Sequence, residues 1–156
     1  MTIAATLASY LERAGIQPEI LTHPRTPSAS RTAEASHVSG DRVAKAVLLK
    51  DATGYLLAVL PASHDLQLDA VRALTGRSLT LAAEEEIGRT FHDCEIGAVP
   101  PVGAAYGLPA VVDDSLVTAS EIYLEGGDHT SLVRLSQEEF AELMQGAKAG
   151  SFSRHQ

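Results

Sequence analysis

"RVAKAVLLKDATGYLLAVLPA", residues 42–62, decides the fold. Two apolar runs, 42–50 and 55–62, flank Asp51-Ala52-Thr53-Gly54, a turn composition that reads as an antiparallel β-hairpin. In the first run Val43, Lys45, Val47 and Leu49 share one strand face, and Ala44, Ala46 and Leu48 share the other. Both faces are apolar, so this strand is expected to be buried on both sides within a covered sheet. Lys45 breaks the pattern. Desolvating its ammonium is costly unless it lines a cavity or meets a charged partner. The plainer alternative is a lysine near a sheet edge whose stem lies on apolar surface and whose head reaches water.

Outward from the hairpin, the remaining signals are shorter. Residues 2–14 place Ile3, Leu7, Tyr10, Leu11 and Ala14 at helical spacing, with Thr2 able to cap the start and Gly15 the end. "PEILTH" (18–23) reads as a strand, a Pro/Ser-rich loop follows to about Ser30, and "RTAEASHV" (31–38) as a short helix. Residues 68–76 and 82–91 have helical patterns; 108–114, 121–127 and 130–136 read as strands, the last two paired across Gly126-Gly127-Asp128. Ser136 and Glu139 form a capping box for a final helix. Helices and strands interleave while hairpins dominate. That predicts a single α/β domain of the α+β type over 1–146, with a mixed, curved, barrel-like sheet flanked by helices. Residues 147–156 carry no pattern and are expected to form a loose tail.

Composition narrows the function classes. The 156 residues are 45% hydrophobic but only 4% aromatic, without Trp, so the core must be aliphatic. The formal net charge of −8 argues against DNA binding or high-affinity RNA binding, which draw on Lys and Arg, but leaves room for a weak encounter with one end of an RNA. One cysteine, no signal-peptide layout and an apolar run no longer than 55–62 predict a cytoplasmic protein without a membrane anchor.

Several residues could carry chemistry. His92 and Cys94 stand two apart; a Cys–His nucleophilic pair needs a third, orienting group, and an inert reduced thiol is the competing reading. There is no Cys-x-x-Cys or His-x-x-x-His, so a zinc site would have to be assembled from scattered ligands. His129 follows a glycine turn at a strand entrance, either aimed into a cleft or simply exposed. His37 and Glu34 share one face of the short helix, where a solvated pair is the default. His23 precedes a proline in a loop. Glu84, Glu85 and Glu86 suit a helix start and a solvated surface. "DCEIGAVPPVG" (93–103) is neither a helix nor a simple strand: glycines and prolines bracket an apolar turn.

Taken in order, "TAEASH" (32–37), "RVAKAVLLK" (42–50), "LAVLPASHDLQLDAV" (57–71), "EEEIGRTFHDCEIGAVPPVG" (84–103), "GLPAVVDDSL" (107–116) and "GDHTSLVRL" (127–135) resemble the YbaK/prolyl-tRNA-synthetase-associated domain family. The resemblance runs from about His23 to Phe140 and rests on order and spacing. It implies hydrolysis of the ester in misacylated tRNA, commonly tRNA(Pro) carrying Ala or Cys, without a covalent protein nucleophile, metal or cofactor. It implies the acceptor end of an aminoacyl-tRNA as partner, and a synthetase as a possible second one. The family's functional lysine falls on Lys45, its Gly-x-x-x-Pro loop on Gly97 and Pro101, and its late-strand histidine on His129. Val99, Pro100, Gly103, Glu34, His37 and Asp128 are expected to contribute to substrate binding. His92 and Cys94 lie outside the matched motif. The alternative on the same fold is a non-catalytic module that binds tRNA or a synthetase.

Overall fold

A computed structural model describes residues 3–26 and 28–156. The expected cap at Thr2 lies outside the described residues. The chain forms α1 (Ala5–Arg13), β1 (Glu19–Thr22), α2 (Ala29–Ala35), β2 (Val43–Asp51), β3 (Gly54–Pro61), β4 (His64–Leu66), α3 (Leu68–Thr75), β5 (Thr80–Leu81), α4 (Glu84–Thr90), β6 (Ala110–Asp113), α5 (Asp114–Val117), β7 (Glu121–Glu125), β8 (Ser131–Ser136), α6 (Gln137–Leu143), β9 (Lys148–Gly150) and β10 (Ser153–His155).

The 42–62 stretch is the hairpin its sequence predicts, with β2 and β3 antiparallel from Ala44↔Pro61 to Asp51↔Gly54. It forms the centre of a curved, barrel-like mixed sheet ordered β1-β8-β7-β2-β3-β6-β9. β7 and β8 pair antiparallel as expected, whereas β2–β7, β3–β6 and β6–β9 are parallel. Both faces of the hairpin are covered. Ala44, Leu48, Leu57 and Val59 enter the core formed with α1 and α6, while Leu49, Leu56, Ala58 and Leu60 enter a second core beneath α3. Burial on both sides is why these strands read as continuous apolar runs.

The side of β2 opposite β3 is paired only at its ends. β7 contributes Val43↔Tyr123 and Ala44↔Leu124. β5 contributes Leu49↔Leu81 and Lys50↔Thr80. Between them no strand among the described residues pairs with residues 45–47 on that side, leaving a gap in the sheet.

Local signals explain several element ends. Ser136 Oγ accepts from Glu139 N (3.1 Å) and Glu139 Oε1 accepts from Ser136 N (2.9 Å), completing the capping box. Gly76, with φ of 68°, ends α3 in the left-handed conformation. α2 starts earlier than its sequence pattern suggests because Ser28 caps it, accepting from Arg31 N.

The C-terminal segment corrects the expectation of a loose tail. β9 pairs with β6 and β10 with β4. Phe152 between them is 1% exposed in the α3 core, and its amide donates to Asp113 Oδ1 at 2.9 Å. One buried aromatic and one buried hydrogen bond anchor a stretch that is otherwise polar. The acidic run at α4 also departs from a purely solvated surface. Glu84 and Glu85 are exposed, but Glu86 accepts from Lys50 Nζ, Tyr55 Oη and Ala83 N. These donors, Lys50 first, hold its carboxyl down at about 2. None of the helices is long and apolar enough to cross a membrane among the described residues.

Candidate active site

The gap in β2 opens into a cavity of about 260 Å³. Strands supply Lys45, Ala46, Leu48, Leu57 and Glu125; Ile87 and Phe91 come from α4 and the residue after it; Ile96, Gly97 and Val99 come from the following loop. Register explains the two charged residues. Beyond Ala44↔Leu124, the next positions on the two parallel strands are Lys45 and Glu125, which therefore share a face at the point where the ladder stops.

Lys45 is half-buried, and Nζ reaches only the carbonyl of Ala62, at 3.4 Å. Burial lowers its pKa, and the Asp65 carboxylate partly opposes that. Of the two readings its sequence left open, the cavity-lining lysine is the one observed. Glu125 is 1% exposed, and neither carboxylate oxygen has a hydrogen-bond partner of good geometry among the described residues. Burial pushes this carboxyl up; the Thr32 hydroxyl and the His23 and His129 imidazoles act in the opposite direction. Thr32 Oγ1 is itself shared with Thr26 Oγ1.

The 93–103 turn is clamped to the β7–β8 connection. His129 Nε2–H donates to the Ile96 carbonyl at 2.7 Å, and Glu95 N donates to the Gly127 carbonyl at 2.7 Å. Arg25 forms an ion pair with Glu95 on the outside. Gly97 has φ of 91°, a left-handed conformation that favours glycine, and is exposed at the cavity wall. Pro100 and Pro101 are buried behind it and hold the loop without lining the cavity. Gly103 is buried where an added Cβ would lie 2.9 Å from the Leu108 carbonyl.

Lys45, Gly97 and Val99 are thus brought together. His129 is adjacent rather than inside: it is 6% exposed, with φ of 61°, and its Nδ1 is buried without a partner. Asp128 points into its own turn, accepting from Thr130 N, Ser131 N and Ser131 Oγ. Glu34 and His37 are exposed on and just after α2 and do not line the cavity. Glu125 is the residue that sequence reasoning missed. Its signal resembles the one that exposed Lys45: a charge directly following the buried run Ile122–Leu124.

Cys94 belongs to a different arrangement. Sγ lies 3.2 Å from Tyr106 Oη and 3.4 Å from Asp93 Oδ1, while Tyr106 Oη donates to Asp93 Oδ1 at 2.9 Å. Burial pushes the thiol up to about 12, which disfavours the reactive thiolate at neutral pH and supports the inert reading. His92 is exposed. Scattered ligands do meet once among the described residues: Asp41, His64 and His155 bring ligating atoms within 4.8 Å of one another on the surface, and none lines the cavity. A larger apolar groove of about 580 Å³ runs between α1 and residues 15–20, but Glu12 is its only charged residue among the described residues.

The model of the aminoacyl-tRNA editing domain matches residues 23–143. The chain belongs to this family. The editing-domain match spans every element around the cavity, from α2 to the β7–β8 turn. A solved structure provisionally assigned as a trans-editing enzyme for prolyl tRNA synthetase is 27% identical, with a TM-score of 0.85 over 97% of this chain and 96% of that one. The hypothetical protein APE2540, 24% identical with a TM-score of 0.83 over 96% and 99% of the two chains, shares the fold. No curated protein matches significantly.

Proposed function

We propose that this editing domain is a trans-acting deacylase that hydrolyses the ester of misacylated tRNA, with tRNA(Pro) carrying a small amino acid such as Ala or Cys as substrate. The supporting observation is the cavity itself. Its 260 Å³ lie below the roughly 300–1,000 Å³ of sites that enclose drug-sized ligands. That volume suits an aminoacyl group and the edge of a ribose. Apolar walls from Ile87, Phe91 and Val99 reject larger side chains by size.

An aminoacyl ester is already activated, so positioning and charge stabilisation supply most of what hydrolysis needs. Backbone groups of residues 97–101 fix the terminal ribose and aminoacyl group and align a water or the vicinal hydroxyl. Water adds to the acyl carbon, the acyl C–O bond breaks, and the proton passes to the departing ribose oxygen. Lys45, whose ammonium has no carboxylate partner among the described residues, neutralises the terminal phosphate or the developing oxyanion. His129, bound to the Ile96 carbonyl, shapes the pocket by holding the loop in place. The net charge of −8 fits weak, transient binding of the acceptor end, with a synthetase as a possible source of further affinity.

Offering a panel of mischarged tRNAs to the wild-type protein and to Lys45→Ala tests this reading. Turnover of tRNAs carrying small amino acids, lost in the variant, is expected. No turnover on any of them, or equal turnover by both proteins, overturns it.

A further inference from the structure

Glu125 has a cost that the fold does not repay. A carboxylate shut away from water without hydrogen bonds is among the more expensive groups a protein can bury. Here, at 1% exposure, neither oxygen has a hydrogen-bond partner of good geometry among the described residues; the Thr32 hydroxyl is close but is taken up by Thr26. No lysine or arginine forms an ion pair with it among the described residues. The charged and titratable groups around it are His23, His129 and Asp128, with the Thr32 hydroxyl. His129 spends Nε2 on Ile96, while His129 Nδ1 and His23 Nε2 are themselves buried without partners. The open side of Glu125 is the cavity. Such a site is complementary to a small cation that arrives with a ligand.

We infer that Glu125 receives the α-ammonium group of the aminoacyl moiety, making it the residue that recognises a free amino acid on the ester. This rests on the reading of the cavity as an aminoacyl-ester site. An α-amino group of pKa about 8 is largely protonated at neutral pH, and an adjoining carboxylate favours that form. Lys45 and Glu125 then give the cavity two poles of opposite sign, matching the phosphate and ammonium that flank the ester. The arrangement also defines what is refused. An ester whose amino group is acylated, as in a peptidyl or formylated aminoacyl group, brings no cation and leaves Glu125 buried and unpaired. The domain is therefore expected to spare peptidyl esters for electrostatic reasons as well as steric ones.

The test uses two amide-linked, non-hydrolysable adenosine analogues, 3′-alanylamino and 3′-propanoylamino, which differ only in the α-ammonium. Their binding to the wild-type protein, Glu125→Gln and Glu125→Ala is followed by NMR titration. The deacylation of mischarged tRNA by the wild type is measured in parallel. A hydrogen-bonded charge pair predicts that the wild type prefers the alanyl analogue by roughly 10- to 100-fold. Both variants should bind the propanoyl analogue as the wild type does and lose the preference. Equal binding of the two analogues by the wild type, a preference that survives in both variants, or no binding of either at millimolar concentration overturns the inference. Turnover of mischarged tRNA without the binding preference leaves the deacylase standing and removes the ammonium site. The preference without turnover does the reverse.

Discussion

Two partly buried polar groupings flank the 93–103 turn and differ in one respect. At the joint of α1, the 93–103 turn and Tyr106, every donor finds an acceptor: Asp93 takes the Thr6 amide at 2.8 Å, the Tyr106 hydroxyl and the Cys94 thiol. In the cavity, Glu125 finds none, and Lys45 finds one carbonyl at 3.4 Å. The first grouping holds three parts of the fold together. The second has its capacity left over, and leftover capacity inside a protein is what a ligand uses.

Removing the cavity's cation should produce the largest effect of any single change. Lys45→Ala is expected to lower deacylation by roughly 10²–10³-fold, the range for a lost charge-stabilising group, with little change in melting temperature. Substantial turnover by a folded variant would break the comparison. At the joint the balance is reversed. Asp93→Ala should cost about 2 kcal/mol in urea unfolding by uncapping α1 and stranding Tyr106, with turnover per folded molecule kept.

What the sequence revealed divides along the same line. The β2–β3 hairpin, the β7–β8 pair and the α6 capping box were legible because each signal lies within a few residues. Lys45 was legible because a charge in a doubly apolar strand has few explanations. β4, β5, β9 and β10 were not, since each is two or three residues long and is defined by a distant partner. Glu125 was hidden by position: at the end of a strand before Gly126-Gly127, an acid reads as the start of a turn. Only the parallel register with β2 turns it inward.

A smaller effect separates the groupings by pH. Glu125 has a folded pKa raised by burial, so its contribution to stability is fully present below the ordinary carboxyl value and is lost as pH rises through the folded value. Glu125→Gln should flatten that decline, measured by urea unfolding at a series of pH values above the ordinary carboxyl range. An unchanged slope would mean that the carboxyl is solvated after all. The smallest effect belongs to the thiol. Burial raises its pKa to about 12 and so disfavours the thiolate at pH 7. Cys94→Ser should therefore keep turnover within about twofold, and iodoacetamide should not inhibit at neutral pH. Loss of activity in either experiment would move Cys94 from the joint to the chemistry.

The interruption of β2 divides responsibility in a way that bears on how this domain can diverge. The two charges stand on β2 and β7, paired on their other sides to β3 and β8, whereas part of the apolar wall, Ile87, Phe91 and Val99, comes from a short helix, the residue after it and a loop. Side chains on that helix and loop can be exchanged for larger or smaller ones without disturbing strand register. If the domain acts as proposed, a lineage could change which amino acid it removes by drift in those walls while the two charged positions stay fixed. Selectivity would then be adjustable at the helix and loop, and recognition of the ester would be built into the sheet.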